Sequence, residues 1–452
     1  MRAARRRELP VDAETSQGAG GSCFFHWLLA RALADRYLAR HASAGALADG
    51  IRTRGGAMHR RRACGAQGRP ATTRGSLLGA CLGFALLACG PGGGSDGKTA
   101  QPIKIGHFAS LTGDTATFGQ STDRGIRMAI DQINDAGGVL GRPLVLISED
   151  DRSITEEART AAQKLLQRDQ VVALLGEVAS SRSLAAAPEA QRAGVPMISP
   201  ASTNPKVTEV GDYVFRTCFI DPFQGAVMAR FAREELKVKR VAILFDFKQD
   251  YSVGLAEFFR NTFKDLGGEI VADERYTSGD IEFRAQLTTI RAAKPEAIFV
   301  PGYYTELGLI AKQARELGLE VPLLGGDGWD SAKTLEIGGP AVEGYYFSNH
   351  YAADSDSPKV QDFVKRYRDK HGEVPDAMAA LGYDAAGILA DALRRAGDTS
   401  GPHLREAIAA TKDYDGVTGK ITIDGQRNAH KDAVVLKIED GKFRFFRSVP
   451  AS

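Results

Sequence analysis

Small polar residues follow two apolar runs in the first half of the chain. Ser180 and Ser181 follow the run VALLGE, and Ala201 and Thr203 follow the run PMISP. A serine at the start of a helix can cap it, and the free N–H groups of the first helical turn attract a carboxylate. These residues therefore form a candidate carboxylate site, although serines at such positions can also be helix caps with no ligand.

Residues of complementary chemistry follow two apolar runs in the second half. Tyr303 follows AIFVPG, and Asp327 follows PLLGG, while Phe118 comes soon after the first predicted strand. Asp327 and the Ala201 carbonyl can accept hydrogen bonds from an ammonium, and the aromatic rings can form walls. An α-amino acid zwitterion needs this combination, because each charged group must keep partners when it leaves water. Taken singly, the aspartate is typical of a turn and the aromatic residues of packing positions.

The elements that position these residues are apolar strands alternating with helical segments. The strand IKIGHFA precedes a helix with Ile126, Ala129, Ile130 and Ile133 on one face, and the rhythm restarts after Asp221 with KRVAILFD. Such alternation predicts an α/β fold in which two doubly wound parallel sheets form two lobes. A closing hairpin is expected from GKITID and AVVLKIEDGKFRFF, turning at Asp440-Gly441.

The edge of each sheet is where the polar residues are expected to meet. Ligands of open parallel sheets bind beyond the carboxyl ends of the strands, where helix N-termini point outward. All the candidate residues follow strands rather than precede them. The sequence therefore predicts a small-molecule site at these ends.

An uncharged run of thirteen residues from Ser76 to Ala88 indicates export. It is shorter than the roughly twenty residues of a membrane-spanning helix and has the length of a secretory signal. Leu86-Leu87-Ala88-Cys89 resembles a bacterial lipobox, so Cys89 is expected to be lipidated. We expect residues 58–88 to be a lipoprotein signal peptide and 89–101 to be a Gly/Ser linker. Residues 1–57 are then a non-native or disordered extension.

Composition and motifs exclude several function classes. Residues 1–88 hold fourteen Arg, no Lys and five acidic residues, so the remainder of the chain is net acidic, which argues against a nucleic-acid partner. Residues 102–452 contain no His-Glu-x-x-His, Gly-x-Ser-x-Gly or Cys-x-x-Cys motif, and their five histidines lack metal-site spacing. We expect no enzyme activity, no cofactor and no metal, and a monomeric chain with Cys218 buried in the core.

Residues 103–448 resemble the periplasmic leucine/isoleucine/valine-binding proteins of amino-acid ABC transporters. The segments that carry the resemblance, in matching order, are LTGDTATFGQSTDRGIRMAIDQINDAGGVLG, GEVASSRS, PMISPASTNPKVT, YVFRTCFIDPFQG and QDYSVGLAEFF. The resemblance implies a type I fold with three crossovers between lobes, near residues 217–221, 348–350 and 416–419. The first lobe would comprise residues 102–219 and 350–416, and the second lobe residues 220–349 and 417–452.

The resemblance also implies roles for individual residues. Ser180 and Thr203 match positions that bind the ligand carboxylate. The Ala201 carbonyl, Tyr303 and Asp327 match positions that bind the ammonium. Relatives often carry glutamate at the Asp327 position, so the shorter side chain should hold the ammonium deeper or through a water.

Three aromatic residues bear on the ligand side chain. Phe118 and Tyr251 match family positions that flank it. Trp329 lies two residues after Asp327 and is expected to narrow the pocket.

The resulting interpretation is an extracytoplasmic, membrane-anchored lipoprotein. It would bind a small amino acid, branched-chain or related, for an ABC permease, by closure of two lobes about a hinge. The alternative is a ligand-sensing protein for amides or small carboxylates that is not coupled to transport. The exact solute stays open.

Overall fold

The computed structural model describes residues 101–451. The extension 1–57, the signal segment 58–88 and the lipidation site Cys89 lie outside the described residues. Within that range, no helix is both long enough and apolar enough to cross a membrane.

The described part of the chain begins with a five-stranded parallel sheet. Its strands are β1 Ile103–Ala109, β2 Leu144–Asp150, β3 Ala173–Leu175, β4 Met197–Ser199 and β5 Val214–Arg216. The helices between them are α1 Ala116–Asp135, α2 Thr155–Gln167, α3 Ser180–Ala193 and the short α4 Lys206–Glu209. The strand order is β2-β1-β3-β4-β5, which is doubly wound, as predicted from the alternation of strands and helices.

A second parallel sheet follows. Its strands are β6 Arg240–Asp246, β7 Glu269–Tyr276, β8 Ala297–Phe299, β9 Leu323–Gly325 and β10 Tyr346–Asn349. The accompanying helices are α5 Asp221–Arg230, α6 Asp250–Asp265, α7 Arg284–Ala292, α8 Tyr304–Glu316 and α9 Ala332–Gly338. A 3-10 turn, Asp327–Trp329, directly follows β9.

The chain then returns to the first sheet. This part contains α10 Pro358–His371, α11 Ala377–Ala396 and α12 Gly401–Ala409, and a small sheet of β11 Tyr414–Gly416, β12 Gly419–Ile423 and β13 Ala429–His430. Helix α11 packs closely against α1, where a Cβ added to Gly125 would lie 2.0 Å from the Ala379 carbonyl oxygen. Only glycine permits this approach.

A hairpin completes the second sheet. Strands β14 Ala433–Glu439 and β15 Lys442–Val449 pair antiparallel, and the sheet order is β15-β14-β10-β9-β8-β6-β7. The predicted turn at Asp440-Gly441 is present, with φ of 54° and 65°. The segment GKITID differs from the prediction, since as β12 it pairs with β11 and β13 rather than with the hairpin.

Each lobe has a hydrophobic core of its own. One core cluster joins β1 and α1 with α11 and α12, whereas another joins β6, β8, β9, α7 and α8. Ile126 is fully buried in the first of these clusters, a contribution on the order of 1.5–3 kcal/mol for one such side chain. Ala129 and Ile130 of the predicted apolar face lie in the same cluster, and Ile133 packs against it partly buried.

Within residues 101–451, three connections lead from the elements of one lobe to those of the other: residues 217–220, 350–357 and 431–432, which we call the first, second and third crossings. The third lies later than the 416–419 predicted from the family resemblance. Ile421 and Ile423 of β12 pack in the first-lobe core, and the Arg216 N–H donates to the Arg427 carbonyl at 3.2 Å. Residues 417–430 therefore pack with the first lobe, because Ile421, Ile423 and Ala429 belong to its core cluster.

Candidate functional site

The candidate residues meet where the carboxyl ends of β3 and β4 face those of β8 and β9. Ser180 begins α3, Tyr303 precedes α8, and Asp327 opens the turn after β9. All seven predicted site residues are buried: Phe118, Ser180, Ala201, Thr203, Tyr251, Tyr303 and Asp327. A separate surface cavity of about 410 Å³ is lined by none of them.

The second-lobe face of the site is built around Asp327. The Tyr251 hydroxyl donates to Asp327 Oδ1 at 3.0 Å and accepts from the Gly328 N–H at 3.2 Å. The Asp327 N–H donates to Gln224 Oε1 at 3.0 Å. A Cβ at residue 328 would lie 2.7 Å from the Gly302 carbonyl oxygen, so the turn after β9 needs glycine there. These contacts fix the carboxylate in one orientation.

Aromatic rings line the same face. Tyr251 and Tyr303 stack with centroids 5.3 Å apart and an interplanar angle of 4°, and Phe118 of the first lobe meets Tyr303 edge-on at 5.7 Å. Burial raises the pKa of both tyrosines well above its usual range, so their hydroxyls stay neutral. Val178 and Met378 belong to the same apolar cluster. The walls of the site therefore suit an apolar ligand side chain.

The first-lobe face is formed by the start of α3 and the segment after β4. Ser180 Oγ accepts from the Asn204 N–H at 3.2 Å. Ser180 thus bonds the segment after β4 instead of capping its own helix. The Arg182 and Ser183 N–H groups donate to the Ala179 carbonyl at 3.1 and 3.0 Å, so the N–H groups of Ser180 and Ser181 are those at this helix start that could meet a carboxylate.

A buried ionic network supports this helix start. Arg182 Nε lies 3.1 Å from Glu177 Oε2, and Arg182 Nη2 donates to Thr115 Oγ1 at 2.7 Å. Glu177 Oε1 also accepts from the Ser110 hydroxyl at 2.9 Å. Because Glu177 lies in the loop between β3 and α3 and bonds Ser110, which follows β1, the network holds α3 in place relative to β1.

Several buried polar atoms in the site lack a hydrogen-bond partner among the described residues. They include the Tyr303 hydroxyl, together with Thr203 Oγ1 and Asp221 Oδ2, which lack well-formed hydrogen bonds although Thr203 lies close enough to Asp221 to lower its pKa. Buried polar groups are nearly always paired in native proteins, so unpaired groups call for an explanation. Their convergence on one site gives a small polar ligand specific atoms to satisfy.

Sequence reasoning missed three residues of the site: Asp221, Gln224 and His350. Burial, together with the charge of Asp327, raises the pKa of Asp221 to about 8, and a hydrogen bond from Thr203 opposes the rise. His350 Nε2 lies 3.1 Å from Asp327 Oδ2. Asp221 and Gln224 stand in the segment FIDPFQG, which carried part of the family resemblance, whereas no local pattern distinguishes His350.

Trp329 does not line the site, contrary to the expectation. Its ring is fully buried in the second-lobe core, and its indole N–H donates to the Val300 carbonyl at 3.0 Å. The 3-10 turn rotates it away from Asp327 and towards Phe347, with centroids 5.9 Å apart. Trp329 therefore anchors the turn after β9 in the core and does not narrow the pocket.

Hydrogen bonds across the cleft hold the lobes closed on each other. The Asp250 N–H of α6 donates to Ser181 Oγ of α3 at 2.9 Å, and the Tyr304 hydroxyl donates to the Asp114 carbonyl at 3.0 Å. The hydroxyls of Thr117 and Ser331 lie 2.9 Å apart. Closure explains why every predicted site residue is buried. Within residues 101–451, no group of three or more His, Cys, Asp or Glu side chains could hold a metal ion.

Comparison with known proteins agrees with this architecture. Residues 102–442 match the family described as periplasmic binding protein. The chain belongs to the periplasmic binding protein family.

Two relatives of this periplasmic binding protein are named for the amino acids that they bind. The leucine-, isoleucine-, valine-, threonine- and alanine-binding protein of Pseudomonas aeruginosa is 31% identical over 79% of this chain and 97% of its own length. The leucine-binding protein LivK of Thermotoga maritima has a TM-score of 0.74 and 43% identity, covering 77% of this chain and 99% of that one.

A third relative was solved with its ligand. The branched-chain amino acid transporter substrate-binding protein LivJ of Streptococcus pneumoniae, in complex with isoleucine, has a TM-score of 0.74 and 35% identity, covering 77% of this chain and 99% of that one. The predicted resemblance to Leu/Ile/Val-binding proteins and the predicted type I fold are confirmed. All three relatives are described as binding proteins.

Proposed function

We propose that this periplasmic binding protein is an extracytoplasmic lipoprotein of an ABC importer that binds a small amino acid, branched-chain or related, between its lobes. The observation that carries the proposal is the pairing of two unlike faces in one buried site. One face offers the start of α3 with Ser180 and Thr203, and the other offers Asp327. A zwitterion matches both, whereas a simple carboxylate would leave Asp327 without a cation.

The ligand carboxylate would bind the Thr203 hydroxyl and the N–H groups of the first turn of α3. That hydroxyl is buried, has no described partner at hydrogen-bond geometry apart from its neighbour Asp221, and would donate to the ligand carboxylate. The ammonium would bind the Ala201 carbonyl and Asp327, next to the Tyr303 hydroxyl. A charge-assisted hydrogen bond is roughly twice as strong as a neutral one, so the ammonium contact should dominate affinity.

Ligand binding would drive hinge closure about the three crossings. In the open form the solute would reach one lobe first, and closure would add the contacts of the other. The bonds between Ser181 and Asp250 and between Tyr304 and Asp114 form only in the closed form, since each joins the two lobes. A permease could therefore distinguish the loaded protein by its closed shape.

A lipid on Cys89 would keep the protein at the membrane. The flexible segment 89–101 would then act as a tether that raises the effective concentration near the permease. Intact mass measurement of the membrane-extracted protein tests this part, since a chain that starts before Cys89 contradicts it.

A thermal-shift screen tests the proposed solute class. Leucine, isoleucine and valine should raise the melting temperature in a concentration-dependent way, because a ligand that binds only the native state stabilises it by RT ln(1 + [L]/Kd). Benzoate and acetamide serve as the comparison solutes. A shift with these and none with any amino acid would favour the sensor for amides or small carboxylates.

A further inference from the structure

His350 lies at the start of the second crossing, directly after β10, and its ring is buried between lobes. The ring stacks on Phe219 of the first crossing, with centroids 3.8 Å apart and an interplanar angle of 24°. The His350 side chain is fully shielded from solvent. Two of the three crossings therefore fix the position of this imidazole.

The imidazole contacts the carboxylate that the proposed function assigns to the ligand ammonium. His350 Nε2 lies 3.1 Å from Asp327 Oδ2, while Asp327 Oδ1 accepts from Tyr251. A carboxylate only accepts hydrogen bonds, so Nε2 carries the proton of the neutral ring. The other nitrogen, Nδ1, is buried and has no partner among the described residues.

Other charged and titratable groups surround this pair. The positive charge of Lys431, in the third crossing, lowers the pKa of His350. Burial in turn lowers the pKa of Lys431 to about 8. Asp221 and Asp330 interact electrostatically with Asp327. Burial and the Asp327 charge raise the pKa of Asp221 to about 8 and that of Asp330 to about 6. The Cys218 thiol stays neutral because burial raises its pKa to about 12.

Burial also lowers the pKa of His350, partly opposed by Asp327. A neutral imidazole orients the carboxylate without cancelling its charge. A protonated imidazole would form an ion pair with Asp327 and compete with a ligand cation.

We propose that His350 is a positioning residue for Asp327 and links ligand affinity to proton release, so that the protein binds its amino acid less tightly in acid. This inference rests on the proposed function. An ammonium beside Asp327 disfavours a second positive charge on His350, so the complex holds fewer protons than the free protein. By linkage, affinity then falls as the pH drops through the titration range of His350 in the free protein.

Calorimetric titration with L-leucine from pH 5 to 7.5 tests the inference. The wild-type affinity should fall as the pH drops from 7.5 to 5, because protonation of His350, whose pKa burial lowers from its ordinary value of about 6.5, competes with the ligand ammonium. His350→Gln keeps a side-chain N–H donor but cannot gain a proton. It should bind more weakly than wild type at pH 7.5, because it loses the imidazole that orients Asp327, and its affinity should change much less with pH than that of wild type. His350→Phe keeps the stacking surface, lacks the donor and should bind more weakly at every pH.

His403→Gln is the matched control. This histidine is exposed and paired with Asp398 on the surface, and it titrates without touching the site. Its variant should keep the wild-type pH profile. The same slope in His350→Gln as in wild type would overturn the inference alone, whereas failure of every amino acid to bind at pH 7.5 would overturn the proposed function as well.

The tautomer of His350 in the unliganded protein shows whether this side chain orients Asp327 or only fills space in the core. In the nitrogen NMR spectrum of the unliganded protein at pH 7.5, His350 should be the neutral Nε2–H tautomer. An Nδ1–H tautomer would overturn the assignment, because Asp327 would then have no donor from this ring.

Discussion

Replacing Asp327 by alanine should weaken L-leucine binding by about a hundredfold or more. The carboxylate is buried, held by Tyr251 and His350, and is the anion of the second-lobe face. Removing one member of a buried charged pair usually costs about 3–5 kcal/mol, and each 1.4 kcal/mol is about tenfold in Kd. Isothermal titration calorimetry at pH 7.5 measures the change directly.

Glu306→Gln is the control for this variant. Glu306 is another buried acid of the second lobe, and it accepts from the Gly279 N–H at 2.9 Å, away from the ligand site. Its affinity should stay within about threefold of wild type. Circular dichroism melts would establish that both variants are folded. If the Asp327→Ala protein bound leucine as tightly as the control, Asp327 could not be the partner of the ligand ammonium.

Replacing Arg182 by alanine should destabilise the protein by about 3–5 kcal/mol at pH 8. The guanidinium is buried beside Glu177 and Asp151, and its loss leaves two buried carboxylates uncompensated. The loss should be smaller at pH 5. Burial, with the Glu177 charge, raises the pKa of Asp151 to about 7. A carboxyl with a folded-state pKa above its unfolded value of about 4 destabilises the fold progressively as the pH rises between them.

Urea unfolding at the two pH values measures this effect. Arg366→Ala serves as the control, because Arg366 pairs with Asp362 on the surface of α10 and both side chains are about half exposed. Such pairs contribute about 0–1 kcal/mol. An Arg182→Ala protein no less stable than this control would contradict the role given to the network under α3.

Local patterns were sufficient to predict the lobes. The alternation of strands and helices predicts two parallel sheets, and the Asp-Gly pair at residues 440–441 predicts the final turn, because both depend on neighbouring residues. The pairing of β12 was wrong because an alternating strand of five residues carries no information on which strand it joins. Residues 417–430 are an example, because the sequence alone does not say in which lobe the apolar side chain of Ile421 is buried.

Some residues of the site could likewise be predicted from local sequence, and others could not. Residues at strand ends were found because the ends of parallel strands converge, and the structure brings Ser180, Thr203, Tyr303 and Asp327 together. His350 could not be found, because its partners lie 23 and 131 positions away in sequence, at Asp327 and Phe219. Trp329 was placed wrongly because the 3-10 turn after β9, which directs its ring into the core, leaves no signature in the sequence.

The central claim is that one buried site holds both charges of an amino acid. Titrating the wild-type protein with L-leucine, 4-methylpentanoate and 3-methylbutylamine tests it most directly, because the two analogues keep the apolar chain and lack one charge each. We predict that leucine binds at least about a hundredfold more tightly than either analogue, since each analogue leaves one charged face unpaired. Equal affinity for leucine and 4-methylpentanoate would contradict the account.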